Sequence, residues 1–191
     1  SEFISVANVV APRINCDTSD TYSSLWKKAF SQIQLTKQRT PAGFAAQPIQ
    51  EVLAVSDQIE RDITPNEVIR QLNALSLAGL IIIIFDEFDR LPQETSALLA
   101  DTIKTLSDHS IHITIILVGV ADSVNELIAE HASVERALIQ IPVPRMPRKE
   151  LREIILRGTK RLTLDIEPTA LDRITALSQG LPYYTHLLGL Y

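Results

Sequence analysis

The stretch "IIIIFDEFDRL", residues 81–91, decides the fold of this 191-residue chain. It predicts a strand, Leu80–Asp86, that carries apolar side chains up to a pair of carboxylates, Asp86 and Glu87. A strand that is apolar on both faces is typical of a parallel sheet covered by helices on both sides. The pattern therefore predicts two acids at the carboxyl end of a buried parallel strand.

Two adjacent acids at such a strand end suit the chemistry of nucleoside triphosphates. Asp86 can hold Mg²⁺ through the water shell of the ion, because a hard cation prefers oxygen ligands. Glu87 can orient and deprotonate an attacking water. The stretch is therefore a Walker B candidate. The alternative is a strand that ends in a polar turn with two solvated acids.

Composition limits the class of protein. A chain of 191 residues that is 46% hydrophobic can bury one core, or one core with a small appendage. The net charge of −5 gives no overall attraction to nucleic acid or to an anionic membrane. The single cysteine, Cys16, excludes an internal disulfide and favours a cytoplasmic location. The longest apolar stretches, 80–85 and 111–121, are too short to cross a bilayer, so no membrane association is expected.

The rest of the first 144 residues alternates predicted strands and helices. The other predicted strands are residues 9–15, 111–119 and 138–143. The predicted helices are residues 21–30 (with Asp20 or Thr21 as the cap), 49–60, 64–79, 94–107 and 123–131, and residues 36–48 are an expected exposed loop. Thr64 is expected to be the N-cap of the third of these helices, with Pro65 at its first helical position and Glu67 closing a capping box. Strands that alternate with helices predict an α/β fold with a parallel, doubly wound sheet.

The pattern changes after "PVPRMPRK", residues 142–149. From there to Tyr191 the sequence predicts three helices and no strand, so residues 1–144 and 145–191 are expected to be two domains. Residues 145–161 carry seven Lys or Arg and two Glu. We interpret this basic run as a solvated helix face. The alternative is a lid that faces nucleotide phosphates or DNA.

In this order the motifs resemble those of AAA+ ATPases and their STAND relatives, the signal-transducing P-loop ATPases. "FDEFDRL" (85–91) resembles the Walker B region of origin-recognition-type initiators and transposition helper ATPases. "GLPYYTHLL" (180–188) is similar to the Gly-x-Pro motif of STAND proteins. The resemblance covers residues 9–191 and implies a P-loop NTPase sheet followed by an all-helical lid.

The resemblance implies roles for individual residues. Asp86 would hold the Mg²⁺ shell and Glu87 would be the catalytic base. Asp122 falls at the sensor-1 position, which is more often a neutral polar residue, so either Asp122 stays solvated or Ser123 takes the role. Arg136 matches the arginine-finger position. As a plain surface residue it would pair with an acid nearby.

The helical tail departs from many AAA+ lids. Pro182 and His186 stand where those lids carry a sensor-2 arginine, which favours the STAND side of the resemblance and a contact of both residues with nucleotide. Without that role, Pro182 fits as the first residue of a helix, and His186 could cover a packing edge.

A phosphate-binding loop is absent from the sequence. Such a loop needs glycines, a lysine and a Ser or Thr in the pattern G-x-x-x-x-G-K-[ST]. The glycines are at 43, 79, 119, 158, 180 and 189, and none of them begins that pattern. In the family the loop follows the first strand, upstream of the strand that residues 9–15 resemble. The chain also begins without Met, so we expect a fragment that lacks the first strand and the P-loop.

The resemblance implies that the intact protein binds and hydrolyses ATP with Mg²⁺ as a switch ATPase, and that this fragment binds nucleotide weakly or not at all. Without the first strand, residues 113–118 would have an unpaired apolar edge, which another copy of the chain or residues 3–10 would cover. Other protein partners are expected for the intact protein, and DNA only through further domains. The alternative function is a degenerate, non-hydrolysing scaffold or protein-interaction module.

Overall fold

The structure is a computed structural model that describes residues 3–5, 9–39, 49–59, 62–120, 134 and 137–190. The chain divides into two compact units, Ser1–Ile139 and Gln140–Tyr191. In chain order the described elements of the first unit are β1 (Phe3–Ser5), β2 (Val9–Val10), β3 (Arg13–Asn15), α1 (Tyr22–Ser31), β4 (Gln34–Arg39), β5 (Ile49–Ala54), α2 (Pro65–Ser76), β6 (Leu80–Asp86), α3 (Gln93–Asp108) and β7 (Ile113–Leu117).

The centre of the first unit is a parallel sheet built around β6. Strands β2 and β3 pair with one side of β6, and β7 pairs with the other. The predicted bounds of β6 are confirmed, and so is the predicted parallel α/β sheet. The predicted strand 9–15 is divided into β2 and β3 at Pro12, whose carbonyl accepts the N–H of Ile84 at 2.9 Å. Because proline has no N–H, the ladder loses a donor at this point.

The two faces of the sheet are covered unequally. Ile81, Ile83 and Phe85 are buried, whereas Ile82 and Ile84 are half-buried. The register partners of these last two, Thr114 and Ile116, are exposed. The connection from β3 to β6 and the connection from β6 to β7 run in the same direction across the sheet. Both connections are expected to be right-handed, so the helices within them lie on the same face of the sheet. The second face of β6 is therefore less covered than its apolar sequence predicts.

The covered face holds the core of the first unit. Trp26 of α1 contacts Phe85 edge-on and Phe30 of its own helix in a tilted arrangement, each at a centroid distance of 5.5 Å. Helices α2 and α3 add Leu72 and Leu99, both fully buried. All three helices thus bury their apolar stripe against one sheet, as amphipathic helices do in α/β folds.

A second, antiparallel sheet was not predicted. Its strand order is β1–β4–β5, with Phe3–Ser5 paired to residues 36–38 and Gln34–Arg39 paired to Ile49–Ala54. The loop prediction is therefore wrong for 36–39, and the helix prediction for 49–60 is wrong over 49–54. Residues 40–48 lie outside the described part. Ile49, Val52 and Leu53 are spaced as on one face of a helix, which is why the local pattern misleads.

Helices α1 and α2 each begin directly after a threonine that caps them. Thr21 caps α1, where its side chain and that of Ser24 form a capping box. Thr64 caps α2 and accepts the N–H of Glu67 at 3.4 Å. The prediction that Glu67 closes a box is wrong, because its carboxylate binds Arg70 at 2.7 and 2.8 Å instead. Helix α3 confirms the helix predicted at 94–107, and the helix predicted at 123–131 lies outside the described residues.

The second unit contains three helices, α4 (Arg148–Arg161), α5 (Pro168–Leu177) and α6 (Pro182–Leu188). The all-helical tail is thereby confirmed among the described residues. Leu151 and Ile155 of α4 and Leu171 of α5 form its small core.

The strand predicted at 138–143 is not formed. These residues have no regular structure, and Ile139, Ile141 and Val143 are 90%, 81% and 91% exposed. Alternating apolar residues are typical of a strand, but a strand also needs a partner for its backbone, and none of the described strands pairs with this segment. In the described part of the chain, no helix is long and apolar enough to span a bilayer.

Candidate functional site

The candidate site lies where β6 ends. Three hydrogen bonds join the chain at the end of β6 to the residues that follow β7. The N–H of Phe88 donates to the carbonyl of Val118 at 2.9 Å, and the N–H of Val118 donates to the carbonyl of Phe85 at 2.8 Å. The N–H of Val120 donates to Asp89 Oδ1 at 3.0 Å. The carboxyl ends of parallel strands are where α/β sheets bind ligands. The fold thus presents the Walker B candidate at the edge of the sheet where a ligand would bind.

Asp86 is held by two neighbours. Arg13 on the adjacent strand β3 donates to Asp86 Oδ2, from Nε at 3.1 Å and also from Nη2. The N–H of Glu87 donates to Asp86 Oδ1 at 2.9 Å. The Asp86 side chain is 18% exposed and that of Arg13 is 67% exposed. The hydrogen bond from Arg13, followed by that from Glu87, lowers the pKa of Asp86 below its usual value, so this carboxylate is ionised at neutral pH.

Glu87 adopts an unusual backbone conformation. Its φ of 54° and ψ of 40° are left-handed, which is uncommon for a residue with a side chain. This turn takes the chain out of β6 and into the short 3₁₀ turn Phe88–Arg90. The Glu87 carboxylate is half exposed and accepts Arg90 Nη1 at 2.6 Å. Both candidate acids are therefore paired with an arginine.

A second charged cluster fixes the turn that follows β3. Asp20 is 3% exposed and accepts Lys28 Nζ at 2.7 Å, Ser24 Oγ at 2.7 Å and the N–H of Asp17 at 3.0 Å. A buried carboxylate with this many donors is satisfied. We assign this cluster a structural role: it holds the loop beside Asp86 in one conformation.

Cys16 joins the turn that follows β3 to the end of β6. Its N–H donates to the carbonyl of Asp86 at 2.8 Å, and the residue is 1% exposed. Burial, with a smaller contribution from Asp20, raises the pKa of the Cys16 thiol to about 12. The thiol is therefore neutral and a poor nucleophile in the folded protein.

The raised pKa of Cys16 predicts a loss of stability at alkaline pH. The thiol ionises near its ordinary pKa of 9.0 in the unfolded chain, so the contribution is fully present below that pH and is lost as pH rises towards 12. We expect the free energy of unfolding to fall by about 1.4 kcal/mol between about pH 8 and about pH 10 because of this residue. Urea unfolding of the wild type and of Cys16→Ala at both pH values measures it, and equal falls in both proteins would contradict the prediction.

A divalent cation suits the donor atoms of the two acids, but their negative charge is already offset by Arg13 and Arg90. Carboxylate oxygens are the ligands that Mg²⁺ prefers. Over the ranges that the structure describes, no three His, Cys, Asp or Glu side chains are grouped to hold a metal ion, so Asp86 and Glu87 would need water or ligand oxygens to complete the shell. Asp86 Oδ2 also already accepts Arg13.

The remaining predicted site residues lie either outside the described residues or in the second unit. Asp122, Ser123 and Arg136 lie outside the described residues. Pro182 is the first residue of α6 and His186 lies in its last turn, both in the second unit. Asp86 and Glu87 are thus the two predicted residues whose common site the structure describes.

Two arginines at the site were not predicted. Arg90 follows Glu87 by three residues, and this spacing could have indicated the pair. Arg13 precedes Asp86 by 73 residues, and only the register of β3 against β6 brings them together. No local pattern contains that information.

Comparison with known proteins yields matches among solved structures. No protein-family profile matches the sequence, and no curated protein matches it. Among solved structures, the chain is similar to the Thermotoga maritima RuvB Holliday junction branch migration motor, with a TM-score of 0.46 and 21% identity over 67% of this chain and 41% of that chain. A point mutant of the same protein matches over 93% of this chain and 53% of that one, with 16% identity and a TM-score of 0.44. The chain thus spans about two fifths of the first structure.

Proposed function

We propose that the chain is the Walker B part of an ATP-binding and hydrolysing switch protein of AAA+ or STAND type. The observation that carries the proposal is the position of Asp86 and Glu87 at the carboxyl end of the central strand β6, beside the end of β7. In parallel α/β sheets this edge is where nucleotides bind. Adjacent acids there match the demands of phosphoryl transfer to water.

The two acids would act in different ways. Asp86, ionised and turned to the carboxyl edge, would hold the water shell of Mg²⁺, while Glu87 would orient a water molecule and accept its proton. Bound Mg²⁺ supplies positive charge that offsets the charge developing on the phosphate oxygens. Glu87 Oε2 accepts Arg90 Nη1 at 2.6 Å, so the guanidinium must move away before this oxygen can accept a hydrogen bond from the attacking water.

The phosphate-binding loop would come from upstream residues of the intact protein. β7 is paired with β6 on one side, and on its other side no described strand pairs with it. The half-covered second face, with Ile82, Ile84 and Ile116, adjoins this edge. A parallel strand added beside β7 and followed by a right-handed connection back to β2 would put its helix on that second face. This arrangement supports a missing strand–loop–helix unit.

The experiment compares this chain with a version extended upstream by about 50 residues of the native gene, enough for one strand–loop–helix unit. Binding of a fluorescent ATP analogue with Mg²⁺, and phosphate release, are measured for both. We expect only the extended version to bind nucleotide. Its Glu87→Gln variant should keep binding and lose hydrolysis by about 10²-fold or more, since general base catalysis contributes that much.

The control variant is Glu94→Gln in the extended version. Glu94 is an exposed acid in the first turn of α3 and undergoes the same chemical change. It should leave both binding and hydrolysis unchanged. Binding by the extended version with equal hydrolysis in wild type and Glu87→Gln would remove Glu87 from catalysis. No binding by either version would favour the second candidate function.

That second candidate is a scaffold or protein-interaction module that does not hydrolyse nucleotide. The observation that favours it is the pairing of both acids, Asp86 with Arg13 and Glu87 with Arg90. In a degenerate site these pairs would be permanent surface ion pairs, which contribute little to stability because water and salt screen them. Replacement of Glu87 by Gln would then change nothing measurable in a nucleotide assay.

Self-association through the edge of β7 that no described strand covers is part of the proposal for the chain as it stands. The alternative that residues 3–10 cover this edge is wrong for the described strands, because β1 pairs with β4 and β2 pairs with β6. An apolar strand edge without a partner readily accepts another strand. A second copy of the chain is the partner that a pure sample provides.

We expect the chain to form dimers with increasing concentration, and Ile116→Lys to stay monomeric. Ile116 is 40% exposed on β7, and a charge at a strand edge opposes pairing. The matched control is Leu77→Lys, an 85% exposed leucine beyond the end of α2, which should dimerise like the wild type. Sedimentation velocity over a concentration series measures this. A wild type that is monomeric at every concentration would contradict the prediction.

A further inference from the structure

Arg13 lies where it can control the access of a metal ion to Asp86. It is on β3, next to β6, and the register pairs Arg13 with Ile84 and Asn15 with Asp86. Ile14, between them, points into the core and is 1% exposed. Arg13 and Asn15 are two residues apart and therefore share the opposite face of the sheet. The guanidinium thus approaches the carboxylate from the open face.

The contacts of Arg13 occupy the Asp86 oxygen that has no other donor. Asp86 Oδ1 accepts the N–H of Glu87 at 2.9 Å, which turns this oxygen towards the backbone. Oδ2 accepts Arg13 Nε at 3.1 Å and a second bond from Nη2. A carboxylate oxygen that accepts two N–H groups has no lone pair left for a water of a metal shell. At Oδ2 the arginine and the water shell of a metal ion therefore compete for the same lone pairs, and Oδ1 keeps one lone pair beside its bond from Glu87.

The ion pair between Arg13 and Asp86 is accessible to water, so its hydrogen bonds can break and re-form. The Arg13 side chain is 67% exposed, so water replaces its hydrogen bonds when it leaves Asp86. The backbone of Arg13 is meanwhile held on its other side, where Gln32 Nε2 donates to its carbonyl at 3.1 Å. The strand can stay in place while the side chain moves. Arg13 can thus release Asp86 without unfolding of β3.

We propose that Arg13 is a built-in competitor of the divalent cation at Asp86, which keeps the site closed to metal until the guanidinium moves away. This inference rests on the proposed function, since it takes Asp86 as the residue that holds the metal shell. Arg13 is a positioning residue here and takes no part in the reaction. The alternative is a purely structural ion pair that joins β3 to β6.

The test measures Mn²⁺ binding to the 191-residue chain by the loss of the EPR signal of the free ion. We expect Arg13→Gln to bind Mn²⁺ about two- to fivefold more tightly than the wild type, the range that an exposed ion pair allows. Asp86→Asn and the double variant should lose this binding. Lys27→Gln removes the same charge from a pair with Asp62 outside the site, and should bind like the wild type.

The outcomes separate the inference from the proposed function. Equal affinities of wild type and Arg13→Gln, with loss in Asp86→Asn, overturn the inference and leave the metal role of Asp86 intact. An unchanged affinity in Asp86→Asn contradicts both. No detectable binding by folded Arg13→Gln also overturns the inference. Arg13→Lys keeps the charge but lacks the paired N–H groups, so it should give an intermediate affinity and serves if Arg13→Gln folds poorly.

Discussion

Replacement of Trp26 by alanine is expected to lower the free energy of unfolding of the first unit by about 3–5 kcal/mol. Trp26 is fully buried and lies at the centre of the core. Its ring is 5.5 Å from those of Phe30 and Phe85 and 6.3 Å from that of Tyr22. Alanine would leave a cavity that the core cannot close, because β6, which carries Phe85, is fixed by hydrogen bonds on both sides.

Urea unfolding followed by circular dichroism measures the effect, since the chain has one tryptophan and fluorescence would be lost with it. The matched variant is Trp26→Phe. Among the described residues, the indole Nε1 is buried without a hydrogen-bond partner, and an unpaired buried donor is costly. Phenylalanine removes this donor and leaves a smaller cavity, so its loss should stay below about 1.5 kcal/mol. Similar losses in both variants would contradict the packing argument.

Replacement of Gly180 by alanine is expected to destabilise the second unit by about 2–4 kcal/mol, combining left-handed backbone strain with overpacking. Gly180 has a φ of +83°, which L residues rarely adopt. A Cβ on it would lie 2.6 Å from Arg145 Cβ and 3.2 Å from the carbonyl oxygen of Met146. The carbonyl of Gly180 also accepts the N–H of Met146 at 2.9 Å, so the backbone cannot move away without loss of that bond.

The control is Gly158→Ala, which makes the same change within α4, about one turn before its C-terminal end. An added Cβ there meets nothing within 4 Å. Alanine should therefore stabilise this helix by about 0.5–1 kcal/mol, through its higher helix propensity. Thermal unfolding of both variants compares the two glycines directly. If the Gly180→Ala protein is as stable as the wild type, the Gly-x-Pro segment tolerates a side chain at position 180 and the prediction is wrong.

The Gly-x-Pro segment has a structural explanation that is independent of any nucleotide. Gly180 lets the chain pass close to residues 145–146, and Pro182 is the first residue of α6, where its missing N–H costs nothing. Arg145 Nη1 donates to the carbonyl of Gln179 at 2.8 Å and supports the same turn. The contacts of Pro182 and His186 with a nucleotide remain proposals.

The sequence by itself determined the central strand, its two acids and the starts of the first two helices. The bounds of β6 agree with the prediction, and α1 and α2 begin directly after Thr21 and Thr64. These features depend on neighbours within about four residues, since caps and helical or strand periodicity act over one turn or one pleat. Local chemistry is enough to specify them.

The tertiary structure alone decided the strand partners and the charges around the acids. Ile49–Ala54 is a strand because Gln34–Arg39 pairs with it, whereas residues 138–143 alternate like a strand and form none. Arg13 reaches Asp86 across 73 residues of sequence through the register of two parallel strands. Backbone hydrogen bonds between strands are the same for every side chain, so a sequence pattern can mark a strand but cannot name its neighbour.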